Sequence, residues 1–207
     1  LVSTIQIEEN GNYKLTGTVR NDGTETYGGV GVIATFYEAE KPCVEREVTP
    51  RTKPGAPPAE PTTVDVCQYN WHGPVEVYVA CQLLEPGAEC PFSLEIYGRD
   101  YVSYLLHPEG SPVEYRQPAS LLLSGVSVDN NGLGYVRITG TATNQNPYTV
   151  GDANIVGTLL DAGGQIASVG SAIVPGEIAS RASVSFDLRV EYAPYTGYQL
   201  NAEATQQ

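Results

Sequence analysis

Short runs in which apolar and polar residues alternate make up most of the chain. Ile5 and Ile7 alternate with polar residues in one run, and Leu15 and Val19 do so in the next. Threonine, valine, isoleucine and tyrosine dominate these runs, and such residues suit a pleated, half-buried strand. No window of useful length carries the 3.6-residue apolar period of a helix. The pattern predicts an all-β protein built from short antiparallel strands.

Turn signals separate the predicted strands. Asn10-Gly11 and Asn131-Gly132 each stand between two alternating runs, and both residue types tolerate a positive φ, which favours a hairpin. Asp161-Ala162-Gly163-Gly164 marks a further hairpin. Strands at hairpin spacing, with turn residues between them, predict a β-sandwich.

The chain contains an internal repeat. Residues 15–21 (LTGTVRN) return 123 positions later as residues 138–144 (ITGTATN). Near the ends of the two repeats, Tyr101-x-x-Tyr104-x-Leu106 matches Tyr195-x-x-Tyr198-x-Leu200. A repeat of this length predicts two small β-domains of one kind, each near the usual domain size of about 100 residues.

Composition places the domain boundaries. Residues 108–118 include Pro108, Pro112 and Pro118 and show no β pattern, so they predict a semi-stiff linker. The first predicted sandwich covers residues 1–107 and the second covers residues 119–207. A long insertion, at about residues 43–81, distinguishes the first sandwich from the second.

The insertion carries residues with possible contact roles. Residues 50–61 include five prolines, which predicts an extended, exposed segment that does not pair as a strand. Arg51 and Lys53 add positive charge to an otherwise acidic chain, and Trp71, the one tryptophan, is followed by His72. Two interpretations stay open: a solvated loop, and an arm through which these four residues contact a neighbouring subunit or partner.

The cysteines predict disulfides. Cys43, Cys67, Cys81 and Cys90 all fall in the first repeat, and an even number on a β-rich acidic chain is typical of an oxidising compartment. We favour the pairs Cys43–Cys67, at the base of the insertion, and Cys81–Cys90, across a turn. The alternatives are free buried thiols and a metal site, but the chain has no C-x-x-C pair and two histidines, which is poor metal-ligand spacing.

Net charge and hydropathy exclude several partners. The formal net charge is −13, from 24 acidic and 11 basic residues, and such a field repels nucleic acid and anionic lipid. No apolar run approaches the roughly 18 residues that a membrane-spanning helix needs. The chain starts at Leu1 and contains no methionine, which fits a mature exported protein as well as a fragment of a longer chain.

Both repeats resemble the FxLYD-type domain, an immunoglobulin-like sandwich of bacterial and archaeal exported proteins. In the first repeat the matching residues are Gly17, Val19, Asn21, Phe36-Tyr37-Glu38, Pro86-Gly87 and Phe92. In the second they are Gly140, Ala142, Asn144, Leu159-Leu160-Asp161, Pro175-Gly176-Glu177 and Phe186. Glu38, Ala142 and the insertion depart from the family pattern. The resemblance implies two tandem immunoglobulin-like antiparallel sandwiches, a prokaryotic cell-surface or secreted location, and no catalytic residues.

Candidate chemistry is sparse. His72 and His107 are the only imidazoles and neither has a nucleophile motif beside it, so we predict neither an enzyme nor a cofactor. Asp22, Asp129 and Asn131 lie in oxygen-rich, glycine-bearing segments and are weak calcium candidates. The same residue types are ordinary in tight turns.

These features predict a non-catalytic extracellular protein, a subunit of a cell-surface layer, appendage or filament. Its expected partners are other copies of itself or other envelope proteins. The alternative is a binding or adhesion module that grips a glycan or protein through the insertion and Trp71.

Overall fold

Every element of the computed structural model is a β-strand within the residues that it describes, and all strand pairs are antiparallel. These residues are 2–7, 13–38, 44–48, 62–66, 71–96, 101–113, 117–130 and 132–207. The predicted all-β class is therefore confirmed. The two repeats divide the chain into two halves. That each half is a separate domain stays a prediction.

The described residues of the first repeat form nine strands. They are β1 (Val2–Ile7), β2 (Tyr13–Arg20), β3 (Tyr27–Glu38), β4 (Val44–Val48), β5 (Thr62–Val66), β6 (Trp71–Tyr78), β7 (Leu83–Leu84), β8 (Glu89–Ile96) and β9 (Tyr101–Pro112). One sheet has the order β1-β2-β8. In the other, β3 pairs with β6 and β7 along one edge and with β9 along its opposite edge. Strands β4 and β5 form a separate hairpin within the predicted insertion.

In the second repeat the described residues form seven strands. They are β10 (Pro118–Ser120), β11 (Leu122–Asn130), β12 (Tyr135–Thr143), β13 (Val150–Leu160), β14 (Ile166–Val174), β15 (Ser183–Glu191) and β16 (Gly197–Gln206). Their sheets have the orders β11-β12-β15 and β10-β16-β13-β14. The β13–β14 hairpin confirms the turn predicted at Asp161, whose carboxylate accepts the Gly163 and Gln165 amides. Two more pairs of consecutive strands are antiparallel: β1 pairs with β2, and β11 pairs with β12.

Each repeat buries a hydrophobic core between its two sheets. In the second core, Phe186, Leu188 and Val190 of β15 are buried while the residues between them are exposed. This alternation follows from the period of two along a strand, which turns successive side chains to opposite faces. Leu15 and Phe36 occupy the first core in the same way, from β2 and β3.

A glycine in the repeated sequence is required by a phenylalanine ring. Gly140 on β12 lies directly opposite Phe186 on β15, and a Cβ at Gly140 would stand 2.7 Å from the Phe186 ring. In the first repeat Gly17 faces Phe92 at the corresponding register position. The Thr-Gly-Thr repetition in the sequence therefore marks a place where one strand makes room for the ring of its neighbour.

A buried asparagine ties the loops together in both repeats. The Asn144 amide donates to the carbonyls of Tyr148 and Ile178, at 2.8 and 2.9 Å, and its Oδ1 accepts the Asn146 N–H at 2.9 Å. Asn21 makes the same set of bonds. Its amide donates to the carbonyls of Glu25 and Leu84 and its Oδ1 accepts the Gly23 amide, at 2.7, 2.9 and 2.9 Å.

These networks correct one alignment made from the sequence. The Gly87 N–H donates to the Asn21 carbonyl, and in the second repeat the Arg181 N–H donates to the Asn144 carbonyl. Gly87 and Arg181 both have positive φ, at 77° and 63°. Gly87 therefore corresponds to Arg181 and not to Gly176, because a similar Pro-Gly pair occurs at two different turns.

Residues 108–112, which the sequence assigns to the linker, form the end of a strand. Strand β9 continues through Pro108 to Pro112 and pairs with β3, and β10 begins at Pro118 and pairs with β16. The expectation that residues 108–112 lack β structure is wrong. Among the described strands β9 pairs with β3 alone, and proline is tolerated on such an edge because its missing donor need not face a neighbour.

The boundary predicted for the insertion also lies too far along the chain. Residues 71–78 form β6, which pairs with β3 as β14 pairs with β13, so they belong to the fold that both repeats share. The proline-rich residues 50–61 and the proposed Cys43–Cys67 pair lie outside the described residues.

We expect Asn144→Ala to lower the free energy of unfolding by about 3 kcal/mol, because it removes the side-chain donor to the Tyr148 and Ile178 carbonyls and the acceptor of the Asn146 N–H. Urea denaturation followed by circular dichroism measures the change. Gln145→Ala, at an exposed neighbouring position, is the matched control and should change it by less than about 0.5 kcal/mol. Equal effects of the two substitutions would contradict the anchoring role.

Candidate functional site

The two repeats meet at a carboxylate. Glu203 on β16 accepts the backbone N–H of Gln82 at 2.5 Å through Oε1 and that of Leu83 at 3.4 Å through Oε2. The donors follow β6 in the first repeat and the acceptor belongs to the second. Hydrogen bonds to a charged acceptor are about twice as strong as neutral ones, so this contact fixes the position of one repeat on the other.

Asn154 extends the contact on β13, directly opposite Glu203. Its amide donates to the Ala80 carbonyl at 2.8 Å and to Glu203 Oε1 at 3.0 Å. The side chain is 2% exposed, although it lies on the face of β13 turned away from the core residues Ala153 and Ile155. The first repeat therefore buries part of the outer face of β13.

A buried lysine forms the second part of the junction. Lys14 is 2% exposed, lies 3.1 Å from Glu95 Oε1, and donates to Ser168 Oγ of the second repeat at 3.4 Å. Strand β14, which carries Ser168, lies against β2 and β8. A buried charge pair adds little net stability but is costly to break, so it favours one arrangement of the repeats over others.

A disulfide supports the loop that reaches the second repeat. Cys81 and Cys90 are bonded, with their Cα atoms 5.9 Å apart, as the sequence predicted. Cys90 is fully buried in the first core, so the bond attaches residues 80–83 to that core. Closing a loop of this size contributes roughly 2–3 kcal/mol in the chain-entropy description.

A β-bulge shapes the acceptor side of the junction. The β13–β16 register shifts between Gly151 and Asn154, and Asp152 in the bulge has φ of 49°. The β3–β9 register shifts between Gly28 and Gly31, and Gly29 has φ of 58°. Glycine and aspartate both tolerate this conformation, so both repeats keep the bulge although the residue differs.

The corresponding place in the first repeat is an open groove. Glu109 pairs with Gly31 immediately after the bulge, as Glu203 pairs with Asn154. A cavity of about 610 Å³ lies there, lined by Gly31, Glu76, His107 and Glu109 among others. The Glu109 side chain is 55% exposed, and its Oε1 lies 3.9 Å from His107 Nε2. A smaller cavity of about 270 Å³ lies at the junction itself, beside Glu203.

Sequence reasoning did not identify the junction residues. Glu203 and Glu109 stand in the same short pattern, Glu203-Ala204-Thr205 and Glu109-Gly110-Ser111, and this echo was the available signal. Of the candidates proposed from the sequence, Trp71 and His72 begin β6, opposite Tyr37 and Phe36. Their side chains, and the whole of Arg51 and Lys53, lie outside the described residues.

Two of the three calcium candidates, Asp22 and Asp129, lie in the described residues, and neither belongs to a group of three metal-ligating side chains there. Asp22 is held by Arg20, whose Nε donates to Oδ1 at 2.6 Å and whose Nη2 donates to Oδ2 at 3.2 Å. These hydrogen bonds hold the pKa of the Asp22 carboxyl below its ordinary value. Asp129 lies on β11, more than a hundred residues away in the other repeat, and Asn131 lies outside the described residues. No cluster of three metal-ligating side chains occurs in the described part of the chain.

A second exposed pair lies on the outer face of the second repeat. Arg137 donates to both carboxylate oxygens of Asp187 at 2.6–3.1 Å. This bidentate contact is the main cause that lowers the pKa of the Asp187 carboxyl. Arg137 occupies the position that Lys14 occupies in the first repeat, but it is 47% exposed.

Comparisons with known proteins add no family or relative. A scan against protein-family models and a search of curated proteins both find no match. Within the described residues there is no helix of the length and apolarity required to cross a membrane.

We expect the Asp22 and Asp187 carboxyls to titrate below their ordinary pKa of 3.8, which carbon-detected NMR measures. The pKa of each carboxyl is lower in the folded protein than in the unfolded chain. Each ion pair therefore stabilises the fold at pH values above the ordinary pKa, and this contribution is lost as the pH falls through the lowered pKa. Arg20→Gln should raise the pKa of Asp22 and leave that of Asp187 unchanged. A shift at both carboxyls would contradict the local cause.

We expect Glu203→Gln to reduce the free energy of unfolding by about 1–2 kcal/mol, because the amide keeps one acceptor oxygen and loses the charge. Hydrogen exchange at the Gln82 and Leu83 amides should accelerate, since these are the donors. Glu25→Gln, at an exposed position outside the junction, is the control. Unchanged exchange at Gln82 would show that the carboxylate does not hold the loop.

Proposed function

We propose that the protein is a non-catalytic structural subunit of a prokaryotic cell-surface layer, appendage or filament. The junction between the repeats carries this proposal. Glu203, Asn154 and Lys14 join the repeats through buried or half-buried polar contacts. Directional bonds of this kind fix one relative orientation, whereas a solvated linker alone leaves it free. A fixed orientation is what a subunit of an ordered assembly requires.

The chemistry of the chain supports an extracellular setting for this role. The Cys81–Cys90 disulfide is typical of proteins in an oxidising compartment. The net charge of −13 keeps separate copies soluble at low ionic strength through mutual repulsion. The resemblance of both repeats to exported immunoglobulin-like domains favours the same location. The expected partners are further copies of the chain or other envelope proteins.

Self-association of the purified protein tests this function. We expect sedimentation velocity to show species larger than the monomer as protein concentration rises, and negative-stain electron microscopy to show regular polymers or sheets. Salt should promote the association, because it screens the repulsion between copies that carry the same charge. Monodisperse monomers at every concentration and ionic strength would contradict the proposal.

A further inference from the structure

The junction uses two different surfaces, and each repeat carries a version of both. We call the first the loop surface: Lys14 with residues 80–83 in the first repeat, and Arg137 with residues 175–177 in the second. We call the other the strip surface: Asn154 with Glu203 in the second repeat, and Gly31 with Glu109 in the first. Inside the molecule, residues 80–83 of the first repeat bind the strip surface of the second at Glu203 and Asn154, and Lys14 binds Ser168 on the adjacent strand β14.

Strand register establishes that these surfaces correspond. Glu109 faces Gly31 and Glu203 faces Asn154, in each case just after the bulge. The two loops precede equivalent contacts, since Leu84 pairs with Tyr27 and Ile178 bridges to Val150. The loop of the second repeat is one residue shorter than residues 80–83.

The loop surface of the second repeat is uncovered. Pro175, Gly176 and Glu177 are all exposed, and Arg137 is 47% exposed where its counterpart Lys14 is 2% exposed. Beside this loop, Ile173 is 70% exposed, the highest value among the described large hydrophobic side chains.

The strip surface of the first repeat is uncovered as well. In the second repeat, β10 pairs with residues 203–205, but no described strand pairs with residues 109–111 on the side away from β3. These residues line the open groove, where Glu109 is 55% exposed. The described residues therefore leave one loop surface and one strip surface without a partner, on different repeats.

We propose that the strip surface of one copy binds the loop surface of a second copy, so that the internal junction is repeated between molecules. This proposal rests on the proposed function and specifies its geometry. A contact between two different surfaces is heterologous, and it propagates into an open chain of copies unless its rotation closes a ring. The occupant of the groove is thus residues 175–177 of a second copy.

The expected contact follows the internal one. The Glu109 carboxylate accepts the backbone N–H groups of Gly176 and Glu177, as Glu203 accepts those of Gln82 and Leu83. Gly31 has no side-chain amide to donate, whereas Asn154 has one. The contact between copies is therefore weaker than the junction within a copy. Glu177 also enters a groove that contains Glu76 and Glu109, which opposes docking at low salt.

Two variants each remove one surface. Glu109→Arg replaces the acceptor on the strip surface, and Glu177→Pro removes one backbone donor from the loop surface. We expect Glu109→Arg to weaken self-association by about 30-fold or more, as for loss of a hydrogen-bonded charge at an interface. Glu177→Pro should weaken it as well, because the Glu109 carboxylate then keeps one of its two donors. Asp129→Arg, an equal charge change at an exposed residue of β11, should weaken it far less. Circular dichroism and thermal unfolding verify that the variants fold.

Mixing the two variants gives the decisive measurement. The Glu109→Arg protein keeps its loop and the Glu177→Pro protein keeps its groove, so an equimolar mixture can form one junction and no more. We expect light scattering after size exclusion to show a heterodimer in the mixture and monomers of each variant alone. Gly31→Asn, which restores the amide of Asn154, should strengthen association of the otherwise unchanged chain.

Several results would overturn the proposal. If the unchanged protein assembles and Glu109→Arg assembles equally well, the function stands and this geometry is wrong. If mixing the two variants yields only monomers, the two surfaces do not bind each other. Glycan-array binding that Glu109→Arg abolishes would show that the groove holds a sugar instead. Failure of the unchanged protein to associate at all would contradict the proposed function itself.

Discussion

The hydrogen bonds from the Gln82 and Leu83 amides to the Glu203 carboxylate determine how the two halves of the molecule are arranged. They require a bulge in β13 and β16, because the register shift before Asn154 sets where Glu203 meets the loop. They also require residues 80–83 to stay attached to the first core, which the Cys81–Cys90 bond ensures. Each feature is local, but together they hold the two repeats in one relative orientation.

The regular part of this architecture could be predicted from the sequence. The alternation of Phe186, Leu188 and Val190 with polar residues fixes which face of β15 is buried, and it does so without knowledge of any distant partner. The repeat at a spacing of 123 residues likewise located equivalent asparagines, Asn21 and Asn144, whose hydrogen bonds proved to be the same. Patterns of this kind depend on neighbours in the chain or in the same sheet.

The features that the sequence did not predict depend on where a strand or loop lies in the folded molecule. Prolines in residues 108–112 suggested a linker because proline is rare in central strands, but β9 is at an edge, where proline does no harm. Pro86-Gly87 and Pro175-Gly176 looked equivalent because turns reuse the same residues. The one sequence signal at Glu203 is the short echo of residues 109–111 in residues 203–205, which does not reveal its partners, because these are backbone groups more than a hundred residues away.

The placement of Lys14 also bears on how the two repeats fold one after the other during synthesis. Its carboxylate partner, Glu95, belongs to the same repeat, while Ser168 comes much later in the chain. During synthesis from the amino terminus, Glu95 is therefore available to pair with Lys14 before the second repeat has emerged. A nascent chain can thus assemble its first sheet without an unpaired lysine on the surface that the second repeat will cover, and the later half docks onto a surface already prepared for it.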